Sequence, residues 1–204
     1  MSAKPSDPEQ TPWFLSWSSM GTRAWSLLEN SESVRPALRS TDGFRYGLPW
    51  MRMWDDAMGF GSEIEPFTLT VFHPFLPDDQ PIVRKAIWER TLDLRRLHEL
   101  VERQGQVVSI EPAITVTDAL VPVAELKAIL HSGLGLHVPL VRLSDAMSVT
   151  SDVGSVGFDF YTLDQPQAKV SLEWSFDPPG EWKEAIEFVA RLQALLEDTL
   201  RKMV

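Results

Sequence analysis

The sequence predicts an α+β fold: an antiparallel or mixed sheet of about four to six strands with helices packed on one face. Three observations carry this expectation. Near the C-terminus, "GFDFYTLDQPQAKVSLEWSF" (157–176) alternates apolar and polar residues on both sides of a turn. The segment after it repeats apolar residues at helical spacing. Elsewhere, strand-like and helix-like stretches follow one another without a regular βαβ rhythm.

In the hairpin, Phe158, Phe160 and Thr162 alternate with Asp159 and Tyr161, and "LDQPQA" supplies the turn. Val170, Leu172 and Trp174 then alternate with Ser171, Glu173 and Ser175. This is the period of an antiparallel pair with one apolar face. In "DPPGEWKEAIEFVARLQALLEDTLRKMV", Trp182, Ile186, Val189, Leu192, Leu196 and Leu200 form one helical stripe, with Asp177 as a cap before proline. Glu187 with Arg191, Glu197 with Arg201 and Asp198 with Lys202 stand at i,i+4 spacing.

Earlier elements follow the same rules. "EPFTLTVFHPF" (65–75) reads as a half-buried strand, with Phe67, Leu69 and Val71 on one side and prolines at both ends. "IVRKAIWERTLDLRRLHELVERQG" (82–105) is helical toward its end, where Leu94, Leu97 and Val101 share a stripe, Glu99 faces Arg103 and Gly105 is a stop. Its first ten residues fit helix or strand equally. Residues 106–118 form a strand, bent or at an edge because of Pro112, and Pro122 opens a short helix that Gly133 closes. Further upstream, Thr22 to Glu29 reads as a weak helix, and Gly43 and Gly47 as turns. Residues 1–12, with three prolines and no periodicity, are expected to be a disordered tail, and 13–204 one α+β domain.

The stretch "PWMRMWDDAMGFG" (49–61) is read as a short core helix. On a helical wheel Trp50, Met51, Met53, Trp54, Ala57 and Met58 share one side, opposite Arg52, Asp55 and Asp56, with Pro49 at the start and glycines at the stop. Carboxylates late in a helix oppose its dipole, so the two aspartates do not serve helix stability.

Composition narrows function. With no cysteine there is no thiolate nucleophile, disulfide or cysteine-held metal. The N-terminus carries neither a secretory signal nor an apolar span, so residence in the cytoplasm is expected. Nineteen basic against 29 acidic residues, a net charge of −10, argues against nucleic acid and for a cationic partner. Between Arg52 and Arg84 there is no Lys or Arg, but Asp55, Asp56, Glu63, Glu65, Asp78 and Asp79 give that stretch −6. Such a run is either a solvated face or an electrostatic landing site for a basic protein.

Signatures of catalysis and phosphate binding are missing from the sequence, and no cofactor and no metal are expected. "HELVE" (98–102) is a near miss to a zinc motif and reads better as a solvated helix face. "SGLGLH" reads as a turn. Asp78 and Asp79 with "ELK" (125–127) echo a metal-dependent nuclease pattern only loosely, since the E-x-K falls on an expected helix rather than a strand.

Eight tryptophans, five of them in the first 54 residues, suit either a large aromatic core or an interaction surface. The acidic stretch 53–83, the Trp-rich start and the terminal hairpin with its helix together resemble the immunity proteins of bacterial toxin systems, a resemblance of type that carries no motif. It implies a non-catalytic protein that binds a cognate toxin and occludes its active cleft. The partner-binding residues would be Trp50, Trp54, Asp55, Asp56, Glu63, Glu65, Asp78 and Asp79. Two other readings stay open. One is a small-molecule-binding or enzymatic domain with a Trp-lined pocket; the other is a structural or adaptor subunit.

Overall fold

Strand-forming stretches rich in β-branched and aromatic residues dominate the first half of the folded region. The computed structural model describes residues 46–56, 65–74, 80–104, 110–136, 138, 156–161, 169–174, 178 and 180–202. In chain order these give β1 (Tyr46–Asp55), β2 (Phe67–Pro74), β3 (Ile82–Trp88), α1 (Arg90–Gln104), β4 (Ile114–Leu120), α2 (Val123–Ser132), β5 (Val156–Tyr161), β6 (Lys169–Trp174) and α3 (Lys183–Arg201). A 3₁₀ turn, Gly180–Trp182, leads into α3. The six strands form one sheet in the order β4-β3-β2-β1-β5-β6, and every neighbouring pair is antiparallel. The fold is α+β, as the alternation in the hairpin and the irregular order of elements imply.

The stretch expected to be a short helix is the central strand β1 instead. Both faces of this strand are buried. Met51 and Met53 point to one side, Arg52 and Trp54 to the other, and all four are enclosed. A strand buried on both faces has no polar side, so its apolar run imitates a helical stripe. Pro49, expected at a helix start, opposes Phe72 within the strand. The register shifts on either side of it, so that Trp50 is an extra residue against β2. Proline is tolerated in a sheet at such a bulge, where a ladder hydrogen bond is already lost. Gly47, read as a turn, belongs to the same strand. β2 is likewise enclosed on both sides: Thr68, Thr70 and Phe72 are buried along with Leu69 and Val71.

Two helices cover one sheet face. Val189, Leu192, Leu196 and Leu200 of α3 and Leu126 of α2 close over Met51, Met53, Leu69, Val71, Val83, Ala119 and Phe158. The apolar stripe of α3 falls on the positions its periodicity indicates, except that Ile186 is only half-buried while Ala185 is fully enclosed. Its N-cap position is Trp182, the last residue of the 3₁₀ turn. Glu197 reaches across to Lys85 on β3 at 2.9 Å, tying helix to sheet, so its partner is not Arg201 at i+4. Asp198 and Lys202 do pair, at 2.7 Å.

α1 takes the other face. Leu97 and the half-buried Leu100 pack with Ala86, Trp88, Ile110, Ile114 and Val116 into a second, smaller core. The ambiguous residues before α1 are thus a strand, β3. The next strand, β4, starts after Pro112 instead of bending at it. α2 runs between Pro122 and Gly133 as expected. The readings for residues 1–12, 22–29, Gly43, Gly105 and Asp177 lie outside the described residues.

Candidate functional site

Of the acidic residues singled out in the sequence, Asp55, Asp56 and Glu65 are described. Asp55 closes β1 opposite Phe67, the first residue of β2, and Glu65 lies two residues before that, so Asp55, Asp56 and Glu65 gather at one end of the β1–β2 pair. Asp78 and Asp79 lie outside the described residues, in the connection that leaves β2 after Pro74. Glu63 also lies outside the described residues.

Geometry restrains the members that are placed. Asp56 is 2% exposed and Trp54 5%, so neither belongs to the surface. The ring of Trp54 lies across Gly157 on β5, where a Cβ would overlap its indole. Trp50 is half-buried, packs on the larger core and meets His73 edge-on at 5.3 Å between ring centroids. Glu65 accepts the Thr91 N–H at 3.1 Å and so caps the first turn of α1, where a carboxylate also meets the positive end of the helix dipole. Asp55, at the end of β1, is partly exposed.

Beneath this end of the sheet lies a buried carboxylate that sequence reasoning did not find. Asp93 is fully enclosed and accepts from Trp88 Nε1 at 2.9 Å, Ala113 N at 2.8 Å and Arg96 Nη1 at 2.7 Å. Arg90 adds a long hydrogen bond of 3.5 Å to the carbonyl of Asp56. An ionised carboxylate can stay buried only with such donors around it, and here they join β3, α1 and the approach to β4. The knot is structural.

A second polar arrangement crosses the whole sheet. In register, Asp118 (β4), Arg84 (β3), Thr70 (β2), Arg52 (β1), Asp159 (β5) and Ser171 (β6) form one unbroken row. It lies on the face away from α2 and α3. Arg84, 2% exposed, holds Asp118 through two parallel bonds, Nε–Oδ1 at 2.7 Å and Nη2–Oδ2 at 2.6 Å. Asp159, 3% exposed, accepts from Lys169 Nζ and Tyr161 Oη, each at 3.2 Å, and from Ser171 Oγ. The guanidinium of Arg52 stands 5.8 Å from the centroid of the Tyr161 ring. Asp159 reads in sequence as the solvent side of a half-buried strand. The signal that it is not lies in its company, since Arg52 and Asp159 each sit between apolar residues in separate strands.

The weaker motifs resolve as surface features. His98 and Glu102 pair at 3.2 Å on the exposed face of α1. Glu125 and Lys127 stand exposed on α2, a helix. Gly133 ends that helix, and Gly135 turns the chain with φ of 88°. Among the described residues no group of three His, Asp or Glu is arranged to hold a metal ion, and no helix is long and apolar enough to cross a membrane. No protein-family model, no curated protein and no solved structure matches the chain.

Proposed function

We propose that the protein is an immunity-type binding protein of the cytoplasm, which neutralises a basic cognate toxin by covering its active cleft. The observation that carries this reading is where the acid excess resides. Among the described residues two arginines, Arg52 and Arg84, are buried against three aspartates, Asp56, Asp93 and Asp159. Burial there takes up one net negative charge, and the described residues outside the core still carry more acidic than basic side chains. A surface of that sign raises the encounter rate with a basic partner, and occlusion then needs only a slow dissociation.

The buried polar row favours this reading over a small-ligand or enzymatic one. Its groups are already matched to each other: Asp118 takes both bonds of a fork from Arg84, and Asp159 takes three donors. A ligand site needs convergent polar groups with capacity to spare.

The test is charge reversal where the structure tolerates it. Asp55→Lys, at a partly exposed strand end, is expected to slow association with the toxin several-fold at low salt. Asp56→Lys is unsuitable, since that side chain is enclosed. Equal association rates for wild type and Asp55→Lys across a salt series would remove this end of the sheet from the interface.

A further inference from the structure

The helices on the two faces of the sheet are held in different ways. α3 buries a long apolar stripe, with Val189, Leu192, Leu196 and Leu200 in the larger core. α1 is fifteen residues long, yet among its described side chains only Asp93 and Leu97 are buried. Its place in the smaller core rests on Leu97 and the half-buried Leu100. The remaining attachment is polar and gathered at the start of the helix. Glu65 accepts the Thr91 N–H at 3.1 Å, and Arg90 reaches the carbonyl of Asp56 at 3.5 Å. Asp93 accepts from Trp88 Nε1 on β3 at 2.9 Å and from Ala113 N, just before β4, at 2.8 Å. Further along, His98 pairs with Glu102 and Glu99 with Arg103, so these ion pairs run along the helix rather than to the sheet.

The two kinds of attachment respond differently to opening. Lifting α3 would expose its whole stripe and the core beneath it, whereas lifting α1 exposes little apolar surface and returns its hydrogen-bonding groups to water, which replaces the lost partners. Regions with few buried apolar side chains are the ones that open separately from the rest of a fold. Asp93 governs the closed form in particular. With α1 docked, the Trp88 indole N–H is sealed from water and depends on this carboxylate, and with α1 lifted it does not. We propose that α1 is a strap that lifts from the sheet as a unit while the larger core stays folded, with Asp93 as its latch. Lifting uncovers an apolar strip made of Ala86, Trp88, Ile110, Ile114 and Val116. The proposal is independent of the toxin-neutralising reading.

Hydrogen exchange of the full chain, read by mass spectrometry under native conditions, tests the strap and the latch separately. In the wild type the amides of 98–103 are expected to exchange at least tenfold faster than those of 192–200. Val189→Ala thins the larger core, which is present whether α1 is docked or lifted. It is expected to speed exchange of 192–200 about tenfold or more and to leave 98–103 unchanged. Asp93→Asn weakens the docked form alone and is expected to speed exchange of 98–103 at least tenfold, which fraying of the far end of the helix would not show. Arg96→Ala removes one donor to Asp93 from the partly exposed side and is expected to act in the same direction by a smaller factor. Equal exchange of the two helices in the wild type, or acceleration of both by Val189→Ala, overturns separate opening of α1. Unchanged exchange of 98–103 in Asp93→Asn, or in Arg96→Ala where the first variant does not fold, overturns Asp93 as the latch.

Discussion

Single side chains in this protein are costly to change where they join elements rather than where they are merely large. Asp93 accepts three hydrogen bonds in a site closed to water. Asp93→Ala leaves the Trp88 indole N–H and the Ala113 amide without their acceptor, and is expected to cost about 3 kcal/mol or more in urea unfolding. Asp93→Asn, which keeps one acceptor oxygen, is expected to cost less. Gly157 is sensitive for the opposite reason, since the Trp54 ring occupies the space of a side chain. Gly157→Ala is expected to destabilise by about 1–3 kcal/mol and to shift the near-ultraviolet signal of tryptophan. The Asp198–Lys202 pair predicts a pH effect. Its hydrogen bond with Lys202 holds the Asp198 carboxyl below its ordinary value of 3.8 and raises Lys202 above 10.5. A depressed carboxyl contributes fully above its unfolded value and loses that contribution as pH falls through the folded one. A raised lysine contributes below 10.5 and loses it as pH rises further. Asp198→Asn is therefore expected to narrow the difference between melting temperatures at pH 7 and pH 2, a change that a thermal scan reads directly.

At the scale of elements, what the sequence made legible depended on whether an element has one wet face. α3 alternates between core and solvent, and its position follows from periodicity, whereas in β5 the side read as solvent holds the enclosed Asp159. Leu192, fully enclosed at the centre of the α3 stripe, is expected to cost about 2–5 kcal/mol when cut to alanine, measured by denaturant midpoint. β1 has no wet face, and its residues therefore imitate a helix until Arg52 and Trp54 are seen to share a side opposite Met51 and Met53. The polar row was illegible for a related reason. Each of its members looks like an isolated outward charge, and only the register places Asp118, Arg84, Arg52 and Asp159 in line. Long-range caps are equally hidden: Glu65 reaches the first turn of α1 from 26 residues away. Glu65→Ala is expected to cost about 1 kcal/mol, the usual worth of an N-cap, and so to lower stability whatever it does to partner binding.

For the whole molecule, the described part of the acidic stretch that drew attention in the sequence does not present three open carboxylates. Asp55, Asp56 and Glu65 sit at one end of the β1–β2 pair, Asp56 is enclosed, and Glu65 is engaged with α1. Outside the core the described residues nevertheless carry more acidic than basic side chains, so their surface is net negative. The neutralising role proposed for this protein accordingly rests on long-range attraction over many carboxylates, with no single one decisive. Its association rate with a basic toxin should fall steeply with ionic strength while its own stability changes little.

The most direct measurement is recovery of the tagged protein from the cells that make it, at moderate salt, with the co-purifying chain identified by mass spectrometry and expressed alone. The account predicts one basic polypeptide in stoichiometric amount, released as salt rises, that arrests growth by itself and is harmless when this protein is co-expressed. Recovery of the protein without a stoichiometric basic partner, or with one whose expression does no harm, would contradict it.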